Sequence, residues 1–440
     1  MESFEDWLER EYDYAARAML KSISRTDLVK SRPGFGHEIR PRAGSIIASP
    51  VLASWDPDPD YFFHWFRDSA VVIDALRLLY EAGRIGAEAL THLHDFVHFS
   101  RLLRSLDGKT LVAEPAWRAK VVEDFTKYCR DDAELALIQG DAVIADTRVN
   151  PDGTIDISRW TRPQHDGPPL RALAVVRWGR MTTLDDEAAE LIRADLAFTL
   201  NHWRKPSFDI WEEESGQHYY TLCVSAAALS EGAEWLAARG DRAQADACRA
   251  ASDEIHRALD EFWSPEGGYY RSRMLASGAR SMKELDIAVI LAAIHASADP
   301  RREPRAHGPL DPRILATLAR LEALFDADYP INRGRPPGRG VAMGRYAGDA
   351  YFSGGAYYFS TLGAAELCFR AAAGREDALS WVRKGDAFLA TVRAFTPPGG
   401  ELSEQFDRRT GSQTSAKHLA WSYAAFISCV TARRVVARGS

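Results

Sequence analysis

The 440-residue sequence lacks paired cysteines, long apolar runs and an excess of basic charge. Its five cysteines are widely spaced without a CxxC pair, which argues against a disulfide or zinc framework and favours a reducing compartment. Lys and Arg number 55 against 62 Asp and Glu, and the net charge of -7 argues against a nucleic-acid partner. No apolar run reaches the roughly 20 residues of a membrane span, and the amphipathic N-terminal segment is not a signal peptide. These absences predict a cytoplasmic protein without a membrane partner.

Strand-like alternation of polar and apolar residues, low-complexity linkers and repeats of fixed length are also lacking. Helical periodicity recurs instead along most of the chain. After residue 180 the predicted helices span 185–203, 217–239, 241–263, 283–296, 311–326, 355–373, 375–395 and 412–437. With the earlier segments they make about twelve helices, joined alternately by short turns and by long loops. This pattern predicts one all-α domain over residues 1–440, a closed toroid of helical hairpins whose long loops share one end.

Three consecutive carboxylates follow a tryptophan in the stretch FDIWEEE at 208–214. One interpretation is a charged first turn of the next helix, because a helix N-terminus stabilises nearby carboxylates by roughly 0.3 to 1 kcal/mol. The other is a general acid, whose pKa would rise because Trp211 and its neighbours remove the carboxyl from water. A general acid requires a second carboxylate, and Glu404 in the stretch SEQFD at 403–407 is the candidate.

Arginine and aspartate stand among aromatic residues at two places in the chain. The stretch PDYFFHWFRDSA at 59–70 contains Arg67 and Asp68, and GRYAGDAYFSGG at 344–355 contains Arg345. The aromatic residues alone could be core. An ion pair beside them, however, is expensive to bury unless it holds a ligand.

Features that could indicate a metal or a cofactor are weak. His94 and His98 share one helix face, but no third ligand follows at a recognisable spacing. The glycine-rich stretch at 333–345 follows no strand, so it is poor evidence for a nucleotide. The sequence therefore predicts no metal and no cofactor.

Five motifs in this order resemble glycoside hydrolase family 15, the glucoamylases, over nearly the whole chain from Ser45 to Trp421. They are PDYFFHWFRDSA at 59–70, RWTRPQHDGPPLRA at 159–172, FDIWEEE at 208–214, GRYAGDAYFSGG at 344–355 and SEQFD at 403–407. The resemblance implies an (α/α)6 barrel with its site in a funnel built by the long loops.

The resemblance also implies the site residues. Glu212 matches the general acid, Glu404 matches the general base that activates water, and Ser415 matches a serine that hydrogen-bonds the base. The substrate-binding positions that follow from the motifs are Tyr61, Trp65, Arg67, Asp68, Trp160, Trp211, Glu213, Arg345, Tyr357, Ser415 and Trp421. Their chemistry suits a sugar, which needs Arg and Asp for its fixed hydroxyls and aromatic platforms for its apolar ring face.

The implied activity is that of an inverting exo-acting α-glucoside hydrolase, which releases β-D-glucose from the non-reducing end of its substrate. Fungal members carry tryptophan where this chain has Tyr357 and a small residue where it has Arg159, and Glu214 is unusual after the WEE pair. We read these departures as favouring small soluble α-gluco-oligosaccharides. The alternatives are a trehalase of the same family and a non-catalytic sugar-binding or regulatory protein, whose mark would be the loss of one carboxylate.

Overall fold

A computed structural model describes residues 2–54, 57–297, 306–373 and 375–439, and the described chain is mainly helical. Its α-helices are α1 (Phe4–Leu20), α2 (Phe66–Glu81), α3 (Glu88–Leu103), α4 (Gly108–Ala113), α5 (Asp132–Ala136), α6 (Asp141–Ile144), α7 (Gly167–Trp178), α8 (Asp186–His202), α9 (Tyr219–Ala237), α10 (Arg242–Asp260), α11 (Ala288–Ala296), α12 (Pro312–Asp328), α13 (Tyr358–Ala372), α14 (Ala378–Phe395) and α15 (Ala420–Gly439). Short 3-10 helices span Pro33–Phe35, Pro115–Lys120, Glu123–Tyr128 and Pro330–Asn332.

Six helices form a closed inner ring. In order around the ring they are α2, α7, α9, α11, α13 and α15, and α15 packs back against α2. The helices that alternate with them in the chain, α1, α3, α8, α10, α12 and α14, pack outside this ring. The predicted (α/α)6 barrel is therefore confirmed.

Burial explains why the sequence alternates between two kinds of helix. Every residue of α7 is buried, because an inner helix meets neighbours on all sides. The outer helix α10 buries one stripe only, at helical spacing: Ala245, Cys248, Ala251, Ser252, Ile255 and Leu259. None of the helices in the described part of the chain has the length and apolar character that crossing a membrane requires.

Twelve short strands lie in the loops of the described chain and pair antiparallel, as β1–β2, β3–β4, β5–β6–β9, β7–β8 and β10–β11–β12. They are β1 (Lys30–Arg32), β2 (His37–Ile39), β3 (His64–Trp65), β4 (Arg148–Val149), β5 (Ser207–Phe208), β6 (Ser215–His218), β7 (Trp263–Ser264), β8 (Tyr269–Tyr270), β9 (Arg273–Leu275), β10 (Ala356–Tyr357), β11 (Gln405–Phe406) and β12 (Gln413–Thr414). Two to four residues are too few for alternation to be visible in a sequence.

Two predicted helices begin more than one turn later than expected. The last helix begins at Ala420 and not at residue 412, because Gln413 and Thr414 pair with β11 and Ser415 takes a positive φ of 64°. Helix α11 begins at Ala288 and not at residue 283, because Asp286 accepts a hydrogen bond from the backbone N–H of Ala288. In both places, residues whose composition suits a helix form part of the loop that precedes it.

Candidate active site

The predicted site residues meet at the N-terminal ends of the inner helices. Arg67 and Asp68 lie in the first turn of α2, and Trp421 lies in the first turn of α15. Glu212 and Glu404 lie in the loops that lead into α9 and α15. Side chains far apart in the sequence are therefore brought together, as predicted for the long loops.

The turn that carries Glu212 is built by a buried aspartate. Asp209 accepts hydrogen bonds from the backbone N–H groups of Trp211 and Glu214, both at 2.7 Å. Glu212 itself has a φ of 66°, in the left-handed region that side chains other than glycine rarely adopt. Such a conformation costs of order 1 to 3 kcal/mol and persists only where the surroundings impose it. The turn therefore fixes the direction of the Glu212 side chain.

Two indoles and one guanidinium hold the Glu212 carboxyl group. Trp65 Nε1 donates to Oε1 at 2.8 Å, and Arg67 Nη2 lies 3.3 Å from the same oxygen. Trp160 Nε1 donates a short hydrogen bond to Oε2. Three hydrogen-bond donors therefore surround the Glu212 carboxyl group, for which the sequence predicted an apolar environment.

The indole of Trp211 is held by a different carboxylate. Its indole Nε1 donates to Asp286 Oδ2 at 2.8 Å and not to Glu212. Its ring stacks at 6.4 Å from that of Trp421 and lies 5.2 Å from the Arg345 guanidinium carbon. Trp211 is therefore part of the aromatic wall behind the two carboxylates.

Glu404 is a buried carboxyl group with a raised pKa. Burial raises its pKa to about 7, although the Ser415 hydrogen bond and the Arg345 charge act in the opposite direction. Ser415 donates a short hydrogen bond to Oε2, as the family resemblance implied, and the Tyr61 hydroxyl lies 3.4 Å from Oε1. Because Ser415 lies in a left-handed turn and not in a helix, its hydroxyl can face the carboxyl group.

An aromatic pair joins the two carboxylates. The rings of Tyr61 and Trp65 lie 5.2 Å apart, and each side chain hydrogen-bonds one of the two glutamates. The Tyr61 hydroxyl also lies 2.7 Å from that of Tyr351, a residue of the GRY motif that the sequence analysis did not select.

Buried polar atoms beneath the carboxylates lack hydrogen-bond partners within the described chain. They are Arg67 Nε and Nη1, Asp68 Oδ2, Asp166 Oδ2 and Trp421 Nε1. Arg67 Nη1 lies 3.5 Å from Asp166 Oδ2, whose pKa burial raises to about 6 despite the Arg67 charge. Such groups are expensive to bury, and the ion pairs that Arg67 makes with Asp68 and Asp166, at 3.2 and 3.5 Å, offset part of that cost.

A second cluster surrounds Glu213. Arg345 binds Asp349 through Nε and Nη2, at 2.7 and 2.6 Å, and its Nη2 lies 3.1 Å from Glu213 Oε1. Tyr346 donates to Glu213 through its hydroxyl, and Lys283 Nζ lies 2.7 Å from Oε2. Lys283 was missed because it belongs to no motif and fell inside a predicted helix.

Tyr357, which the family resemblance placed at the substrate, and Glu214 both form hydrogen bonds within the protein. Tyr357 is 0% exposed, and its hydroxyl donates to Asp349 at 3.1 Å and accepts from Gln405 Nε2 at 2.8 Å. Glu214 binds Arg273 Nη1 at 2.9 Å and accepts a 2.7 Å hydrogen bond from Ser281. The prediction that Tyr357 offers a stacking face is therefore wrong, because the residue lies beneath the site.

Three further residues that the sequence singled out, Arg159, His94 and His98, lie at the protein surface. Arg159 is exposed and donates through Nε to the Cys129 carbonyl at 2.9 Å. His94 and His98 are both exposed, and His98 Nδ1 lies 3.3 Å from Glu187. Among the residues that the structure describes, no group of three or more His, Cys, Asp or Glu could hold a metal ion.

Comparisons with known proteins all find glucoamylases or their family. The sequence model of "Glycosyl hydrolases family 15" matches residues 35–384 and 378–431. A probable glucoamylase of Schizosaccharomyces pombe is 28% identical over 99% of this chain and 93% of its own, and a Neurospora crassa glucoamylase is 29% identical over 89% and 63%. The solved glucoamylase of Hormoconis resinae is 26% identical, with a TM-score of 0.77 over 98% of this chain and 74% of that one.

Proposed function

The chain belongs to glycosyl hydrolase family 15, and from that premise we propose that it is an inverting, exo-acting α-glucoside hydrolase. It releases β-D-glucose from the non-reducing end of small soluble α-gluco-oligosaccharides. Residues 1–440 form one catalytic domain. All five cysteines are free and buried, which supports action in the reducing environment of the cytoplasm.

The observation that carries the proposal is the pair of differently held carboxyl groups, Glu212 and Glu404, at the two ends of the Tyr61–Trp65 pair. Inverting hydrolysis needs an acid that protonates the leaving oxygen and a base that activates water, roughly 6.5 to 9.5 Å apart. Glu212 is the acid, and Glu404 is the base. Loss of either carboxylate would favour a binding protein, and both are present.

Recognition of the terminal glucose rests on charged side chains from two of the motifs. Arg67 and Asp68, an ion pair at 3.2 Å, offer a fixed donor and a fixed acceptor side by side, which suits adjacent hydroxyls of one sugar ring. Arg345, held by Asp349, supplies a second guanidinium. The aromatic faces of Trp65 and Trp211 form the apolar side of the same site.

The direct test is glucose release from a panel of α-linked disaccharides, namely maltose, isomaltose and α,α-trehalose, with Glu404→Gln as the matched control. We expect release from maltose or isomaltose by the wild type and a loss of about 10²- to 10⁴-fold in the control. Release from trehalose alone would favour the trehalase alternative. Sugar binding without release from any substrate would favour the non-catalytic alternative.

A further inference from the structure

The hydroxyl group of Tyr423 joins the two chain segments that carry the proposed base and its serine. Tyr423 lies near the start of α15 and is fully buried. Its oxygen accepts a hydrogen bond from the backbone N–H of Leu402 at 3.1 Å and lies 2.8 Å from His418 Nδ1. Leu402 precedes Glu404 by two residues, and His418 follows Ser415 by three. We call Tyr423, Leu402 and His418 the Tyr423 clamp.

The charge state of His418 sets the direction of its hydrogen bond in the clamp. Burial lowers the pKa of His418, so the ring is neutral near pH 7 and can accept through Nδ1. The Tyr423 hydroxyl donates its one proton to this nitrogen, while its oxygen accepts from the Leu402 N–H. A single hydroxyl therefore serves both segments, and removing it releases both at once. The charges that also act on the ring are those of Glu401, Lys21 and Lys417.

Backbone hydrogen bonds place the two segments of the clamp side by side. The N–H of Glu404 donates to the Ala416 carbonyl at 2.7 Å, and the N–H of Leu419 donates to the Leu402 carbonyl at 3.2 Å. These bonds join the backbone of the base to the backbone that follows its serine. The spacing between the two side chains therefore depends on how closely the clamp holds the segments together.

The segment after the base contains two residues in the left-handed backbone region. Ser415 has a φ of 64° and His418 a φ of 51°, and neither is glycine. Such conformations persist only where the surroundings impose them. The clamp holds this turn at His418, and the short hydrogen bond from Ser415 to Glu404 Oε2 lies at its other end. A displacement at His418 therefore changes the direction of the Ser415 hydroxyl.

The clamp lies behind the base and does not face the sugar. Trp421 is part of the aromatic wall of the site, and Tyr423, two residues later in the same helix, points about 200° away around the helix axis. The Tyr423 ring instead packs against α1, where its centre lies 6.2 Å from that of Tyr14. The charges that act on the pKa of Glu404 belong to other segments and are those of Arg345, Asp68 and Asp349.

We propose that Tyr423 is a positioning residue for the general base, which acts by holding Ser415 at hydrogen-bond distance from Glu404. This inference rests on the proposed function and deepens it, because it assigns the alignment of the base to a residue outside the substrate site. Without the hydroxyl the two segments separate, and Ser415 donates less well to the carboxylate. A carboxylate that loses a donor keeps its proton to higher pH. The reaction step therefore suffers, whereas sugar binding does not.

The test compares kcat, KM and the pH profile of kcat/KM for the wild type and Tyr423→Phe, on the disaccharide that the wild type hydrolyses best. Phenylalanine keeps the packing of the ring and removes only the hydroxyl. We expect kcat to fall about three- to tenfold, the factor that corresponds to one hydrogen bond, at an unchanged KM. The acid limb of the profile should move to higher pH. Tyr12→Phe is the matched control and should match the wild type, because Tyr12 is also buried and its hydroxyl lies 3.4 Å from Thr431, farther along the same helix.

A double variant separates positioning from a general loss of structure. Ser415→Ala removes the hydrogen bond that the clamp orients, so adding Tyr423→Phe to it should move the acid limb no further. His418→Asn, which removes the ring acceptor and tolerates the left-handed region, should reproduce the shift of Tyr423→Phe. An acid limb that Tyr423→Phe leaves in place, or shifts that add in the double variant, would overturn the proposal.

Failure of the proposed function looks different, because no α-glucoside would then be hydrolysed. In that event NMR titration of the protein with isotope-labelled glutamate carboxyl groups still tests the clamp, and the signal that Glu404→Gln lacks identifies Glu404. A pKa of Glu404 that is higher in Tyr423→Phe than in the wild type and in Tyr12→Phe would support the clamp. Equal values in all three proteins would contradict it.

Discussion

The indole Nε1 of Trp65 lies 2.8 Å from Oε1 of Glu212, although 147 residues separate the two in the chain. This hydrogen bond joins the start of the inner helix α2 to the loop between β5 and β6, which carries the proposed acid. Trp160 holds the other oxygen, so the carboxyl group cannot rotate freely. Each carboxyl oxygen has a second lone-pair site besides the one that an indole occupies, so the protonated group can still donate to a glycosidic oxygen.

Removing either proposed catalytic carboxylate should abolish most activity without unfolding the protein. Glu212→Gln and Glu404→Gln each delete a proton transfer worth roughly 10²- to 10⁴-fold. The measurement is kcat on maltose, with circular dichroism to confirm helix content. Near-normal turnover in Glu404→Gln would contradict its assignment as the base, and loss of helix in either variant would make that residue structural.

The product should appear first as β-D-glucose. In an inverting reaction water attacks the face opposite to the leaving group, so the anomeric configuration changes once. Proton NMR of the reaction, recorded before mutarotation, distinguishes the anomers. Initial α-glucose would indicate a retaining double displacement and would remove Glu404 from the role of base.

Activity should fall on the acid side of about pH 7 because the base must be ionised. Burial raises the pKa of Glu404 to about 7, and the Ser415 hydrogen bond lowers it. Ser415→Ala removes this hydrogen bond, so the pKa of Glu404 should rise further. The acid limb of the kcat/KM profile should then move to higher pH. Profiles of both proteins between about pH 4 and 9 test this expectation, and a limb that stays in place or moves to lower pH would contradict it.

Tyr357→Trp should destabilise the protein and should not change its preference for substrate length. The side chain is 0% exposed and hydrogen-bonds Asp349 and Gln405, so a larger ring must displace its neighbours. Overpacking of this kind costs typically about 1 to 3 kcal/mol. Denaturant unfolding measures the loss, and Tyr357→Phe, which keeps the ring, is the control. A shift of kcat/KM toward longer chains in Tyr357→Trp would show that residue 357 faces the substrate after all.

Glu11 should make the folded protein less stable as the pH rises. Burial raises its pKa to about 8, and neither of its carboxyl oxygens has a hydrogen-bond partner within the described chain. In the unfolded chain a glutamate titrates near pH 4.3. Between that value and pH 8 only the unfolded state releases the proton. The free energy of unfolding therefore falls by about 2 to 4 kcal/mol as the pH rises through this range.

The substitution Glu11→Gln should flatten this dependence. The measurement is the free energy of unfolding at intervals from pH 5 to about pH 8, and only the slope is compared, because the amide changes packing at every pH. The exposed Glu5 on the same helix provides the control, Glu5→Gln, which should keep the wild-type slope. Equal slopes in wild type and Glu11→Gln would mean that Glu11 ionises normally.

Helical periodicity was enough to predict a closed toroid of helical hairpins from the sequence, and the family resemblance implied that this toroid is an (α/α)6 barrel. Helices such as α7 are apolar on all sides because they are surrounded, and outer helices such as α10 carry one stripe. These patterns arise from local geometry with a period of 3.6 residues, which a sequence records directly. The sequence also brought out the two carboxylates as candidates, because each stands in a recognisable motif, FDIWEEE or SEQFD.

The tertiary structure alone decided which side chain meets which. It directs Trp65 and Trp160 to Glu212 and Trp211 to Asp286, buries Tyr357 beneath the site and brings Lys283 to Glu213. All of these contacts join loops without periodicity, so the direction of each side chain depends on backbone turns such as the positive φ of Glu212. A sequence specifies the residues of such loops, whereas their contacts depend on the closure of the whole ring, which brings segments more than a hundred residues apart to the same end of the barrel.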